Sequence, residues 1–150
     1  FPNHGGIRVV VDYAHNAASF RAILSCLHCY PHGNIIVVFG AGGNRPPMRR
    51  LDMAQVAAEL ADCAIVTTDN PRWEPVEDIC RSITQAQGRQ IHWEVNYKRR
   101  EAIFRALDLA QPGDMVALLG KGHEGYIETC GLRLPFSEWT VLEEYFHKNL

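Results

Sequence analysis

The chain has 150 residues, 47% of them hydrophobic and 21% charged, with a formal net charge of -2. That length fits one domain with a sizeable core, and that charge argues against nucleic acid or an acidic membrane as the main partner. No run of about twenty apolar residues is present to cross a bilayer, no basic-then-apolar leader opens the sequence, and five cysteines without a framework spacing point to a reducing cytoplasm.

The sequence lacks an initiator Met and runs into a strand-like segment almost at once, which reads as a piece of a longer polypeptide starting at a domain boundary. Residues 8–11 form a first apolar run. Asn16 is a good helix N-cap, and Phe20, Ile23, Leu24 and Leu27 then recur at helical spacing. Residues 35–39 make a second strand, closed by Gly40-Ala41-Gly42-Gly43. Met53, Val56, Ala57 and Leu60 give a second helical stripe. Residues 64–67 form a third strand, which leads to Asp69. A helix follows with Val76, Ile79, Cys80 and Ile83 on one face, and Gly88 is placed to stop it. Residues 91–95 read as a strand. Ile103, Ala106, Leu107 and Ala110 mark another helix, ended by Pro112-Gly113. Residues 115–119 form a fifth strand, leading to Gly120. Residues 126–134 resemble a hairpin turning at Gly131, and a last helix from about Ser137 places Trp139, Leu142, Tyr145 and Phe146 inward.

Strands alternating with helices predict βαβ units. The expected fold is α/β: a Rossmann-like three-layer sandwich with a mostly parallel sheet of about six strands, the terminal hairpin adding an antiparallel edge. In such a sheet ligands bind at the carboxyl ends of the strands.

Four strand-end segments carry candidate chemistry. Asp12-Tyr13-Ala14-His15-Asn16 suits a nucleotide ribose through Asp12, and equally suits a turn at Asp12 and a cap at Asn16. Gly40-Ala41-Gly42-Gly43-Asn44-Arg45 is not a dinucleotide fingerprint, because the third glycine would fall on Arg45. It reads as a close backbone approach, with Arg45 aimed at an anion, or as a plain turn. In Asp69-Asn70-Pro71-Arg72, Pro71 stiffens the loop and Arg72 offers a planar fork suited to a carboxylate. Gly120-Lys121-Gly122-His123-Glu124 lacks the Ser or Thr and the upstream glycine of a P-loop, and Glu124 suits an ammonium. The last two loops together fit an amino acid. Cys26-Leu27-His28-Cys29, with His32, lacks a second pair at metal-ligand spacing, so no metal site is assigned.

Together these segments resemble the C-terminal domain of a Mur ligase, in order and over nearly the whole chain. The resemblance implies an ATP-dependent amide ligase of peptidoglycan synthesis. ATP activates a substrate carboxylate as an acyl-phosphate, and the amine of an incoming amino acid displaces the phosphate. It also implies that the ATPase P-loop and the magnesium sites lie in a central domain, and the UDP-sugar site in an N-terminal domain, both outside this chain. Residues 1–150 would then be the amino-acid-binding domain, inactive alone, with no catalytic residue of its own. Arg45, Asp69, Asn70, Arg72, Gly120 and Glu124 would contact the amino acid. Asp12 would meet the ribose, and His15 would lie near the nucleotide. Arg72 resembles the arginine of members that take meso-diaminopimelate, whose second carboxylate it can grip, and the partner carboxylate would be a UDP-N-acetylmuramoyl-dipeptide. A monomer is expected. The chain departs from the family at Asn44 (usually Asp), Leu51 (usually Pro) and Asn16-Ala17 (usually Thr-Pro). Asn16 is closer to the cyanophycin-synthetase type, so a Mur-like ligase of another pathway, or a non-enzymatic amino-acid-binding module, are the alternatives.

Overall fold

Five strands and five helices alternate along most of the chain in the computed structural model, which describes residues 5–85 and 91–148. The strands are β1 (Arg8–Asp12), β2 (Ile35–Phe39), β3 (Cys63–Val66), β4 (His92–Val95) and β5 (Met115–Leu119). They form one all-parallel sheet in the order β1-β5-β2-β3-β4. The helices are α1 (Ala17–Leu27), α2 (Met48–Leu60), α3 (Val76–Thr84), α4 (Arg99–Leu109) and α5 (Glu138–Lys148). A short pair, β6 (Tyr126–Thr129) and β7 (Leu132–Pro135), completes the described elements.

The period of two in the strands gives the sheet two buried faces. Ile35, Val37 and Phe39 point to one face and pack with Phe20 and Leu24 of α1, Ala57 of α2 and Ile83 of α3. Ile36 and Val38 point to the other and pack with Ile103 and Leu107 of α4 and Leu142 and Phe146 of α5. The topology explains this split. Steps from β1 to β2, β3 and β4 all run one way across the sheet, and their helices share one face. The step from β4 back to β5 reverses direction, and α4 lies on the opposite face. One handedness of crossover requires that arrangement.

The strand ends therefore exit to different sides. After β2 and β1 the chain turns to the α1–α3 face, while after β5, which lies between them, it reaches α5 on the other. A crevice opens at the carboxyl end of such a strand.

Helix α1 starts where Asn16 predicts it. Its Oδ1 accepts from the Ser19 amide at 3.0 Å, and the Asn16 amide donates to Ser19 Oγ at 3.3 Å, a reciprocal cap. Two sequence expectations need adjustment. The hairpin is its own two-stranded antiparallel sheet and does not extend an edge of the five-stranded one. It turns through Cys130 and Gly131, both at positive φ (47° and 75°), as a two-residue turn matching strand twist demands. Trp139 is 47% exposed; Val141 takes an inward position that the sequence reading gave to Trp139. Gly88, placed as a helix stop, lies outside the described residues.

Candidate functional site

The loops after β1, β2, β3 and β5 meet over that crevice and enclose a cleft of about 170 Å³. It is lined by His15, Arg45, Asp69, Asn70, Arg72, Gly120 and Glu124, so seven of the eight residues singled out in the sequence share one cavity. Its volume lies below the roughly 300–1,000 Å³ typical of drug-sized sites. Asp12 is not in its lining. Its Oδ1 accepts from the Ala14 amide at 2.7 Å, and its carbonyl accepts from the Gly120 amide at 3.1 Å. Asp12 thus holds the first loop and ties it to the fourth.

Backbone packing brings the loops this close. A Cβ on Gly43 would stand 1.8 Å from the Pro71 carbonyl oxygen, so only glycine lets the second loop lie on the third. The Gly43 amide donates to the Asn70 carbonyl at 2.9 Å across that contact. Gly120 has φ 108°, and a Cβ there would stand 2.6 Å from Asp69 Oδ2.

At the floor sits Lys121, with no side-chain exposure. Its Nζ donates to Asn70 Oδ1 at 2.6 Å and to Glu124 Oε2 at 3.0 Å, and lies 3.8 Å from Asp69 Oδ1. Asn70 Oδ1 also accepts from the Glu128 amide, and its Nδ2 donates to Glu124 Oε2 at 3.2 Å. One buried cation therefore serves two carboxylates, leaving this pole with a net negative charge. Among the described residues the Asp69 carboxylate accepts no hydrogen bond. A ligand ammonium would supply what it lacks.

The opposite pole is basic. Arg72 has a positive φ of 54° without being glycine, a conformation held by two backbone bonds to the hairpin: its amide to the Glu128 carbonyl (3.0 Å) and the Cys130 amide to its own carbonyl (2.7 Å). Its Nη1 donates to the Gly43 carbonyl at 3.0 Å and its Nε lies 3.7 Å from Glu128 Oε2. Nη2 has no partner among the described residues. Arg45 and Arg49 also line the cleft, both exposed and with side chains unpartnered among the described residues.

Sequence reasoning missed the supports. Arg50, inside the α2 pattern, is 3% exposed and grips Glu74 through two bonds of 2.7 and 2.6 Å; the Arg50 guanidinium holds the Glu74 carboxyl below its ordinary range. Lys121 was legible only as part of a glycine-rich turn, and Glu128 only as a hairpin residue. Tyr13 carries its ring 4.8 Å from His15 and 5.1 Å from His123 at the cleft mouth. Partial burial, then the Glu124 and Asp69 charges, push its hydroxyl above the ordinary value. His28 and His32 bond each other and two backbone carbonyls, and among the described residues no group of three metal-ligating side chains occurs.

Residues 1–122 match the model of the Mur ligase, glutamate ligase domain. The chain is 41% identical over 136 residues to the UDP-N-acetylmuramoyl-L-alanyl-D-glutamate--2,6-diaminopimelate ligase of Aquifex aeolicus, covering 91% of this chain and 28% of that protein. It is 42% identical over 147 residues to the ligase of the same name from Zymomonas mobilis, covering 95% of this chain and 29% of that one. It therefore spans somewhat over a quarter of these relatives' length. A solved structure of a ligase with that name superposes with a TM-score of 0.92 at 33% identity, covering 97% of this chain and 30% of that one. A pseudomurein peptide ligase type C from Methanothermus fervidus shares the fold, with a TM-score of 0.61 at 21% identity over 80% of this chain and 25% of that one.

Proposed function

Because the chain belongs to the Mur ligase family, as its C-terminal glutamate ligase domain, we propose that it is the amino-acid-binding part of an ATP-dependent ligase that adds meso-diaminopimelate to UDP-N-acetylmuramoyl-L-Ala-D-Glu. The observation that carries this reading is the polarity of the cleft. Asp69, Asn70 and Glu124 form an acidic pole over Lys121, and Arg72, its Nη2 unpartnered among the described residues, forms a basic pole with Arg45. The names of the relatives support the choice of amino acid.

The chemistry follows from the charges. One ammonium of diaminopimelate sits between Asp69 and Glu124, where two carboxylates hold it protonated and unreactive. The carboxylate on the same carbon pairs with Arg72. The ligand's other amine projects out of the cleft as the nucleophile. Gly120 admits the ligand next to Asp69. Lysine has no second carboxylate and would leave Arg72 unpaired, a penalty of the kind that gives strong discrimination.

ATP with magnesium supplies the activation of the acceptor carboxylate. This chain has no G-x-x-x-x-G-K-[ST] segment, and its described residues form no three-ligand metal group. Phosphates and magnesium would be held by a central domain. His15 and Tyr13 would meet the nucleotide at the cleft mouth, and Asp12, through the one carboxylate oxygen outside its turn, the ribose.

The test is Arg72→Ala in the complete ligase. The KM for diaminopimelate rises roughly 10–100-fold, the worth of a charge-assisted hydrogen-bond pair, while that for ATP barely moves. Equal rises for both would reject the assignment.

A further inference from the structure

We infer that Arg99 and Glu138 are positioning residues that set the spacing of the two amino-acid loops from behind, an inference that rests on the function proposed above. Neither residue reaches the cleft, and neither belongs to a motif singled out in the sequence.

Arg99 is the first residue of α4 and is 2% exposed; Glu138 is the first residue of α5 and is fully buried. The guanidinium donates through Nε and Nη2 to Glu138 Oε1, at 2.9 and 2.7 Å. Two further N–H groups go to backbone carbonyls: Nη2 to Leu119 at 2.9 Å and Nη1 to Thr68 at 3.1 Å. Thr68 immediately precedes Asp69, and Leu119 immediately precedes Gly120. The strands these carbonyls follow, β3 and β5, are not neighbours in the sheet, since β2 lies between them. No ladder bond runs directly across the distance between their ends. One rigid planar group spans it instead.

That distance decides the site. In front of the clamp, Asp69 Oδ2 already stands where a Cβ on Gly120 would collide with it, and Lys121 must reach both Asn70 and Glu124. Sliding one loop past the other would break that acidic pole.

Stability alone does not account for the pair. Glu138 Oε2 is buried with no hydrogen-bond partner among the described residues, and replacing a buried ion pair by apolar residues is often neutral for stability. What an apolar pair cannot do is donate to both carbonyls at once. Lysine has three N–H donors but only a compact ammonium, without the wide planar fork that reaches Glu138 and both carbonyls together.

The experiment compares Arg99→Lys, Glu138→Gln and the double variant in the complete ligase. Amino-acid and ATP kinetics, thermal unfolding and amide hydrogen exchange are measured on each. Misplacing a binding group by about 1 Å costs up to about 100-fold. The expected result is a rise of about tenfold or more in the KM for diaminopimelate, with the KM for ATP unchanged. Exchange accelerates in peptides covering residues 67–72 and 119–125 and not elsewhere, and the double variant is no worse than the more harmful single one, as for two parts of one device. Lower stability with an unchanged KM, both KM values rising together, or exchange accelerating everywhere would overturn the proposal. Should Arg99→Lys fail to fold, Glu138→Gln decides, since it keeps an oxygen acceptor for Nε and Nη2. If the unmodified ligase shows no dependence on diaminopimelate, the proposed function falls. Exchange confined to the two loops then still supports the clamp, and uniform exchange rejects it.

Discussion

Lys121 and Asn70 are joined by a 2.6 Å bond at a depth where the lysine has no exposure. The bond fixes which way the Asn70 amide faces. Its oxygen takes both Lys121 and the Glu128 amide, and its nitrogen is left for Glu124. One buried ammonium thus orders the acidic pole and links the third loop, the fourth loop and the hairpin.

Lys121→Met tests that role. It removes the only neutralising charge within 4 Å of Asp69 and Glu124 among the described residues. Breaking a buried pair from one side costs about 3–5 kcal/mol. Because both carboxylates keep a little exposure, a loss near the lower end is expected, or roughly a 6–12 °C fall in Tm for a domain of this size. Diaminopimelate binding should be lost as well. A variant as stable as the parent would show the lysine to be incidental.

Gly120→Ala probes the contact between the loops. The new methyl would stand 2.6 Å from Asp69 Oδ2, and φ 108° is unfavourable for any L side chain. The strain costs about 1–3 kcal/mol. It also moves the carboxylate proposed to hold the ligand's ammonium, so the KM for diaminopimelate should rise more than tenfold. An alanine variant with unchanged melting and unchanged KM would mean that the loops are not held this tightly.

How far the sequence could reveal all this depended on the range of each interaction. The strands, the helices and the Asn16 cap are local patterns, and they were readable. The loops at Asp69 and Gly120 were readable because turn residues and charged side chains cluster there. The supports were not. Arg50, Arg99 and Lys121 look like ordinary surface charges in a linear pattern, and Glu138 looks like the start of an exposed helix. Their burial follows from partners 24, 39, 51 and 39 residues away, respectively. The hairpin was recognisable, but its detachment from the main sheet was not. Its place is set by backbone bonds to Arg72, at a positive φ that no propensity scale assigns to arginine.

Glu74→Gln addresses the wall behind the basic pole. Arg50 is buried against Glu74 and also reaches the Gly42 carbonyl at 3.3 Å. The neutral amide keeps the shape but loses the charge partner. A loss of about 1.5–3 kcal/mol is expected, with a modest rise in the KM for diaminopimelate because the Gly42–Arg45 turn loosens. Urea unfolding measures the first and steady-state kinetics the second. A stability change within error would place the ion pair among those that contribute nothing.

Glu94 gives the pH test. On β4 it receives two bonds of 2.8 Å from Arg105 and one of 2.8 Å from His92. The Arg105 guanidinium first, and His92 second, hold its carboxyl down from 4.5 to about 2. The sign follows from proton linkage. Over that window the unfolded chain binds a proton that the folded chain refuses, so stability rises with pH. The contribution is complete above 4.5 and disappears as the pH falls toward 2. The Glu94 side chain is 23% exposed, so added salt should weaken the effect. Urea midpoints for the parent and Glu94→Gln should therefore differ at neutral pH, and the gap should close as the pH drops through 4.5. A gap constant with pH would mean that the variant acts through packing and not through charge.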